Sequence, residues 1–107
     1  MYYTYILRCG DGSLYTGIAK DIGKRMSEHF SRSGQCAKYT RSRRAVKLEA
    51  VWESADRSAA SRLEYRIKQI KKTVKQRLID SNEMDVLKDT DAAFYRRLTD
   101  EEIGELY

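Results

Sequence analysis

The sequence predicts an α+β fold, and three observations carry that expectation. Residues 2–9 and 14–18 are aromatic, β-branched and aliphatic runs joined by the turn cluster Gly10-Asp11-Gly12-Ser13, which reads as a β-hairpin. Residues 46–52 alternate apolar and polar, as a half-buried strand does. Ala60, Leu63, Ile67, Ile70 and Val74 recur at intervals of three and four, the signature of one apolar helix face. The coarse order is β-β-α-(α)-β-α-α, followed by a short acidic helical extension.

In the first strand Tyr3, Tyr5, Leu7 and Cys9 share one face while Tyr2, Thr4, Ile6 and Arg8 share the other, because strand side chains alternate. Asp21 is placed to cap a helix whose residues Ile22, Met26 and Phe30 form an apolar stripe, with Arg25 and His29 on a neighbouring face. Residues 31–34 end that helix. Asp56 or Ser58 caps the long helix, and Glu64 stacks beside its apolar face with Ala60 and Ile67, a buried-edge position. Beyond Asp80 a helix is expected around residues 91–98 and another after a cap at Thr99 or Asp100.

A chain of 107 residues is long enough for one core, and 41% hydrophobic content suits a globule. No apolar run approaches the ~20 residues needed to span a bilayer, and residues 1–5 lack the features of a secretory signal. Cys9 and Cys36 form neither a CxxC pair nor a disulfide framework, so they read as small apolar residues in a reducing compartment, and a cytoplasmic location is expected. Charge divides along the chain. Residues 1–80 hold 18 Lys and Arg against 8 Asp and Glu, net +10, whereas residues 81–107 hold 3 against 8, net −5. A basic field of that size attracts nucleic acid through phosphate contacts and counterion release. The acidic segment would either fold over the basic surface as a brake or cap the core with Phe94, Leu98 and Leu106.

Tyr5, Tyr15, Gly17, Arg25, His29 and Glu64 form the set that chemistry could use. Hydrolysis of a phosphodiester needs an oriented water, a proton acceptor, and positive charge on the phosphate. Glu64 is the candidate ligand for Mg²⁺ or Mn²⁺, hard ions that often take one protein carboxylate and complete their shell with water and phosphate. Arg25 can fork two donors onto phosphate oxygens. Tyr5 and Tyr15 are phenols able to position or deprotonate water, with His29 sharing that work. A phenol near pKa 10 must first be lowered by nearby cations to accept a proton well. Lys38, Arg41, Arg43, Arg44 and Lys47 make a basic segment suited to holding a phosphate backbone rather than reading bases. Lys68, Lys71, Lys72, Lys75 and Arg77 extend the positive track.

These residues, with Tyr3-Thr4-Tyr5-Ile6-Leu7, Tyr15-Thr16-Gly17 and Leu63-Glu64-Tyr65-Arg66-Ile67-Lys68, resemble the GIY-YIG nuclease family over roughly residues 2–80. The short single-domain bacterial members are the nearest relatives in kind. The first triplet lacks the leading glycine and the isoleucine, and Thr16 replaces the isoleucine of the second. The resemblance implies a small three-stranded antiparallel sheet flanked by helices across residues 1–80, with residues 81–107 as an acidic extension. It also implies one divalent metal on Glu64, catalytic roles for Tyr5, Tyr15, Arg25 and His29, a structural Gly17, and hydrolysis of DNA. Branched, flapped or damaged DNA is the expected substrate, DNA being favoured over RNA, and a recruiting protein partner is conceivable because no recognition domain is apparent.

Each residue taken singly also has a plain explanation: the tyrosines pack, Gly17 ends a strand, Arg25 and His29 form a solvated face, and Glu64 pairs with Lys68. Their joint order and spacing favour the nuclease. The alternatives are a non-catalytic nucleic-acid-binding module on the same scaffold and a protein-interaction adaptor that docks through the extension. Asn82 is a possible counterpart of a polar residue near the end of the family domain and is left unassigned.

Overall fold

The protein was analysed as a computed structural model, which describes residues 1–31 and 43–106. Strands β1 (Tyr2–Cys9) and β2 (Leu14–Ala19) form the expected hairpin, and β3 (Ala45–Ser54) pairs on the other side of β1. Helix α1 (Ile22–Ser31) starts at Asp21, whose Oδ1 accepts from the Lys24 amide at 3.0 Å. Its enclosed residues are Ile22, Met26 and His29, while Phe30 is exposed. The buried stripe therefore follows the 0, 4, 7 positions of a helix rather than 0, 4, 8, and it draws the histidine inward.

Helix α2 (Arg57–Lys68) is capped by Asp56, which accepts from the Ala59 amide at 2.8 Å. The apolar period running on through Ile70 and Val74 does not make one continuous helix. The chain turns at residues 69–71, and α3 (Lys72–Ser81) begins afresh. Asn82 ends α3 in the left-handed conformation at φ 52°, which asparagine tolerates. Its side-chain oxygen accepts from the buried Trp52 indole N–H at 2.9 Å, so Asn82 serves the core and the helix end.

The three-stranded expectation needs correction at the C-terminal end. The sheet has four antiparallel strands in the order β2-β1-β3-β4, the fourth being β4 (Arg96–Arg97) against Trp52 and Glu53. The helix expected over residues 91–98 is replaced by one 3₁₀ turn (Ala92–Phe94) and this strand. Backbone groups on the open edge of β3 find partners there, including the Leu98 amide on the Val51 carbonyl at 2.9 Å. A second 3₁₀ turn spans Met84–Val86, and α4 (Asp100–Glu105) follows Thr99 in a full capping box with Glu102.

Two cores flank the sheet. Tyr5, Leu7 and Val51 face α1, where Met26, Leu98 and Ile103 join them. Ile6, Ala50 and Trp52 face α2 and α3 with Leu63, Ile67 and Leu78. Leu98 and Ile103 are buried in the first core, Leu106 packs at its margin and Phe94 is exposed. Arg97 reinforces the junction: its guanidinium donates to the Leu78 and Ile79 carbonyls at 3.1 and 3.0 Å and lies 5.1 Å from the Trp52 ring centroid. No helix among the described residues is long and apolar enough to cross a membrane.

Candidate active site

The register of the hairpin sets the site. Tyr5 on the central strand stands opposite Gly17, and Leu7 stands opposite Tyr15. A Cβ on Gly17 would lie 2.5 Å from the Tyr5 hydroxyl oxygen, 2.7 Å from its Cζ and 3.1 Å from Cε2 of Tyr15. Gly17 is thus required for space in mid-strand: it lets one phenol lie across the neighbouring strand and the other close beside it.

Helix α1 delivers the next two groups, one turn apart. The His29 ring meets Tyr5 and Tyr15 edge-on, with centroids 5.7 and 5.5 Å away, and the two phenol rings are 6.3 Å apart. His29 Nε2 and the Tyr5 hydroxyl share a 2.7 Å hydrogen bond in a fully enclosed position. Burial, reinforced by the Arg25 charge, pushes the His29 pKa down to about 4, so the imidazole is neutral at pH 7. Burial also pushes the Tyr5 phenol well above its ordinary range, against the pull of a hydrogen bond from Arg25. A guanidinium can only donate, so the phenol oxygen accepts from Arg25 and the assignment satisfying all three groups sends the phenol proton to Nε2.

Arg25 is held from the other side by Glu28 Oε1 at 2.8 Å, an i,i+3 pair. Burial opposes its charge, but the hydrogen bonds to Glu28 and Tyr5 prevail and move its pKa above the ordinary arginine value. Glu28 escaped the sequence reading, although its spacing from Arg25 was the available signal. Arg25 opens onto a cleft of about 740 Å³ lined by Tyr3, Lys20, Lys24 and Leu106 among others.

Glu64 arrives from the opposite face, on the α2 surface that packs over β1 and β2. Because β2 is an edge strand, helices on both faces reach the same rim. The Glu64 charge contributes to raising the Tyr5 pKa, which ties it electrostatically to the aromatic cluster. Its side chain is 23% exposed and meets Lys68 Nζ at 3.3 Å, four residues on. Among the described residues no three His, Cys, Asp or Glu side chains gather to hold a metal. One accessible carboxylate fits a hard divalent ion that keeps most of its shell for water and phosphate, and not a soft ion needing several ligands.

The basic segment is only partly described. Lys38 and Arg41 lie outside the described residues. Arg43 pairs with Asp11 at 3.2 Å and Lys47 with Glu49 at 3.3 Å, while Arg44 is exposed and its carbonyl accepts from the Gly10 amide. Lys47 stands opposite Arg8, which stands opposite Leu14, the neighbour of Tyr15. These cations therefore sit at the turn end of the sheet.

A hairpin whose glycine makes room for two phenols, closed by an arginine and histidine from the following helix, is the architecture of the GIY-YIG nucleases. Residues 1–78 match the GIY-YIG catalytic domain, and the chain belongs to that family. Within it, the similarity is to the UPF0213 proteins. The UPF0213 protein FN1575 of Fusobacterium nucleatum is 51% identical over 78 residues, spanning 73% of this chain and 76% of that protein. The UPF0213 protein DP2720 of Desulfotalea psychrophila is 48% identical over 82 residues, 77% of this chain and 74% of its own. The solution structure of the UPF0213 protein BH0048 from Bacillus halodurans is 36% identical, with 85% of this chain and 100% of that one covered at a TM-score of 0.48.

Proposed function

We propose that the protein is a metal-dependent endonuclease that hydrolyses phosphodiester bonds of DNA, with branched or damaged DNA in repair or recombination as its substrate. The observation that carries this reading is the meeting of Tyr5, Tyr15, His29 and Arg25 around the bare Cα of Gly17.

Arg25, cationic at any physiological pH, grips the phosphate through its fork and offsets charge that builds on it. Tyr15, half-buried where Tyr5 is enclosed, is the phenol that accepts a hydrogen bond from the attacking water. Tyr5 and His29 act from behind as positioning residues, fixing the Tyr15 ring by a tilted and an edge contact and holding one proton between hydroxyl and Nε2. Glu64 would hold one Mg²⁺ or Mn²⁺, which when bound supplies positive charge to the phosphate and the leaving oxygen. The basic face of residues 1–80 draws in the strand, and a protein partner would supply recruitment to particular sites.

Glu64's ion pair with Lys68 favours a second reading, a binding module in which that carboxylate is only a surface charge. Labelled single-stranded, duplex, flap and four-way-junction DNAs incubated with Mg²⁺ or Mn²⁺ separate the two. Glu64→Ala should abolish cleavage while leaving binding, and Arg25→Ala should slow it by roughly 10²–10³-fold. Binding without cleavage under every metal condition would leave the module.

A further inference from the structure

Glu64 and Lys68 are joined by a 3.3 Å ion pair in the second half of α2, and after Lys68 the chain turns into α3. That turn brings a second ammonium to the pair. Lys75, in the first turn of α3, is half-buried, and among the described residues no carboxylate lies within ion-pair distance of it. The acidic groups at the far end of the helix are engaged elsewhere: Asp80 accepts from Gln76 at 3.0 Å, and Glu83 pairs with Arg77 at 2.8 Å. Burial, with the Lys68 charge added to it, holds the Lys75 ammonium below the ordinary lysine value, so an anion bound there would be favoured by both groups. Lys72 stands farther along the same path. A Cβ on Gly12 would come within 3.6 Å of Lys72 Nζ, and Gln76 accepts from Arg8 at 2.5 Å, so α3 lies against the turn end of the hairpin.

Two ammoniums thus share one carboxylate, and the group is one negative charge short. A partly desolvated charge without a partner costs free energy that a neutral residue with the same stem would avoid. The missing partner is a monoanion with acceptor oxygens on more than one side, as a backbone phosphodiester is. The presence of Glu64 in the group favours that anion, because a strand that brings one phosphate to the carboxylate carries its next phosphate one nucleotide away. We propose that Lys68 and Lys75 together hold the phosphate of the substrate strand that neighbours the one met at Glu64, with Lys72 next on the path toward the hairpin turn. The proposal rests on the nuclease reading for the phosphate at Glu64 and adds to it a requirement for a charged backbone that continues past the cut on this side. Bases are not read there, since an ammonium on a phosphate carries no sequence information.

Lys75→Met keeps the half-buried stem and removes the charge. With the full chain in EDTA, fluorescence anisotropy of labelled dT20 over a series of salt concentrations should show affinity roughly three- to tenfold lower and a slope of log K against log salt shallower by about 0.7, with Lys75→Arg restoring both. Single methylphosphonate linkages placed in turn along a cleaved DNA supply the second measurement. One linkage beside the cut should slow the wild type as much as Lys75→Met does and cost that variant nothing further. Unchanged affinity and slope, or losses that add at every linkage, overturn the proposal. Poly-glutamate that binds more tightly than dT20, and is weakened by Lys75→Met, hands the pair to an acidic protein and overturns it as well. Cleavage by wild type but not by Glu64→Ala, with Lys75→Met binding and cleaving normally, sinks the second phosphate and keeps the nuclease. A shallower salt slope for Lys75→Met in a protein that cleaves nothing with Mg²⁺ or Mn²⁺ keeps the phosphate contact and sinks the nuclease.

Discussion

Tyr5 and Ile6 are consecutive on β1 and point to opposite faces of the sheet, where they meet surroundings of different kinds. Ile6 enters a largely apolar layer with Trp52, Leu63, Ile67 and Leu78. Tyr5 enters a layer in which a phenol and an imidazole are enclosed together and bonded to each other. Burial and dispersion carry most of the first face, where the Trp52 indole N–H also donates to Asn82. The second holds polar groups that are tolerable only while they satisfy one another, so its cohesion and its chemistry are the same contacts. The contrast separates two kinds of cohesion in one small sheet: burial dominates on the Ile6 face, and mutual hydrogen bonding is added to it on the Tyr5 face.

Removing the largest side chain of the apolar face tests that division most severely. Trp52→Ala should cost about 3–5 kcal/mol in urea unfolding, since it opens a cavity and strips partners from Asn82 and Arg97; a cost below about 1 kcal/mol would contradict the division. The polar face should instead reveal itself through pH. His29 takes up a proton in the unfolded chain near 6.5 but in the folded protein only near 4. Its contribution is therefore full above pH 6.5, declines as pH falls from 6.5 toward 4, and levels off below, a loss on the order of 3 kcal/mol. Unfolding midpoints of wild type and His29→Gln at several pH values between 7 and 4 should show the variant lacking that slope.

Gly17→Ala drives a methyl group into both phenols and should destabilise by about 1–3 kcal/mol while suppressing cleavage far more than the folded fraction falls. Activity and melting temperature measured on one preparation would separate the two effects. The smallest change sharpens the comparison from the apolar side. Thr16, opposite Ile6, has a buried hydroxyl with no partner among the described residues. Thr16→Val should therefore stabilise by about 1 kcal/mol in the same unfolding assay, and a loss would show that the hydroxyl is bonded after all.

Features governed by neighbours in sequence are largely legible: the hairpin, the Asp21 cap and the edge position of Glu64 follow from local spacing, while the structure chooses Asp56 over Ser58 and Thr99 over Asp100 as the other caps. What escaped depends on distant pairing. Arg96 and Arg97 look helical by periodicity and become a strand because Glu53 and Trp52 offer an open edge more than 40 residues earlier. The break after Lys68 is hidden by an apolar period that continues across it. Gly17 was readable as a motif residue, but its reason, the Tyr5 ring lying over it, needs the register across the turn. The difference between Tyr5, sealed in, and Tyr15, half-buried, depends on α1 folding back with His29 inward, and no spacing in the strands contains it.

Leu98 and Ile103 belong to the same core as Tyr5, and β4 completes the sheet edge beside it. During synthesis the ribosome releases all six motif residues well before residue 103, yet their surroundings stay unfinished until that late segment emerges and docks. Assembly of the cluster is thereby tied to the docking of Leu98 and Ile103, residues that lie beyond the matched domain of residues 1–78.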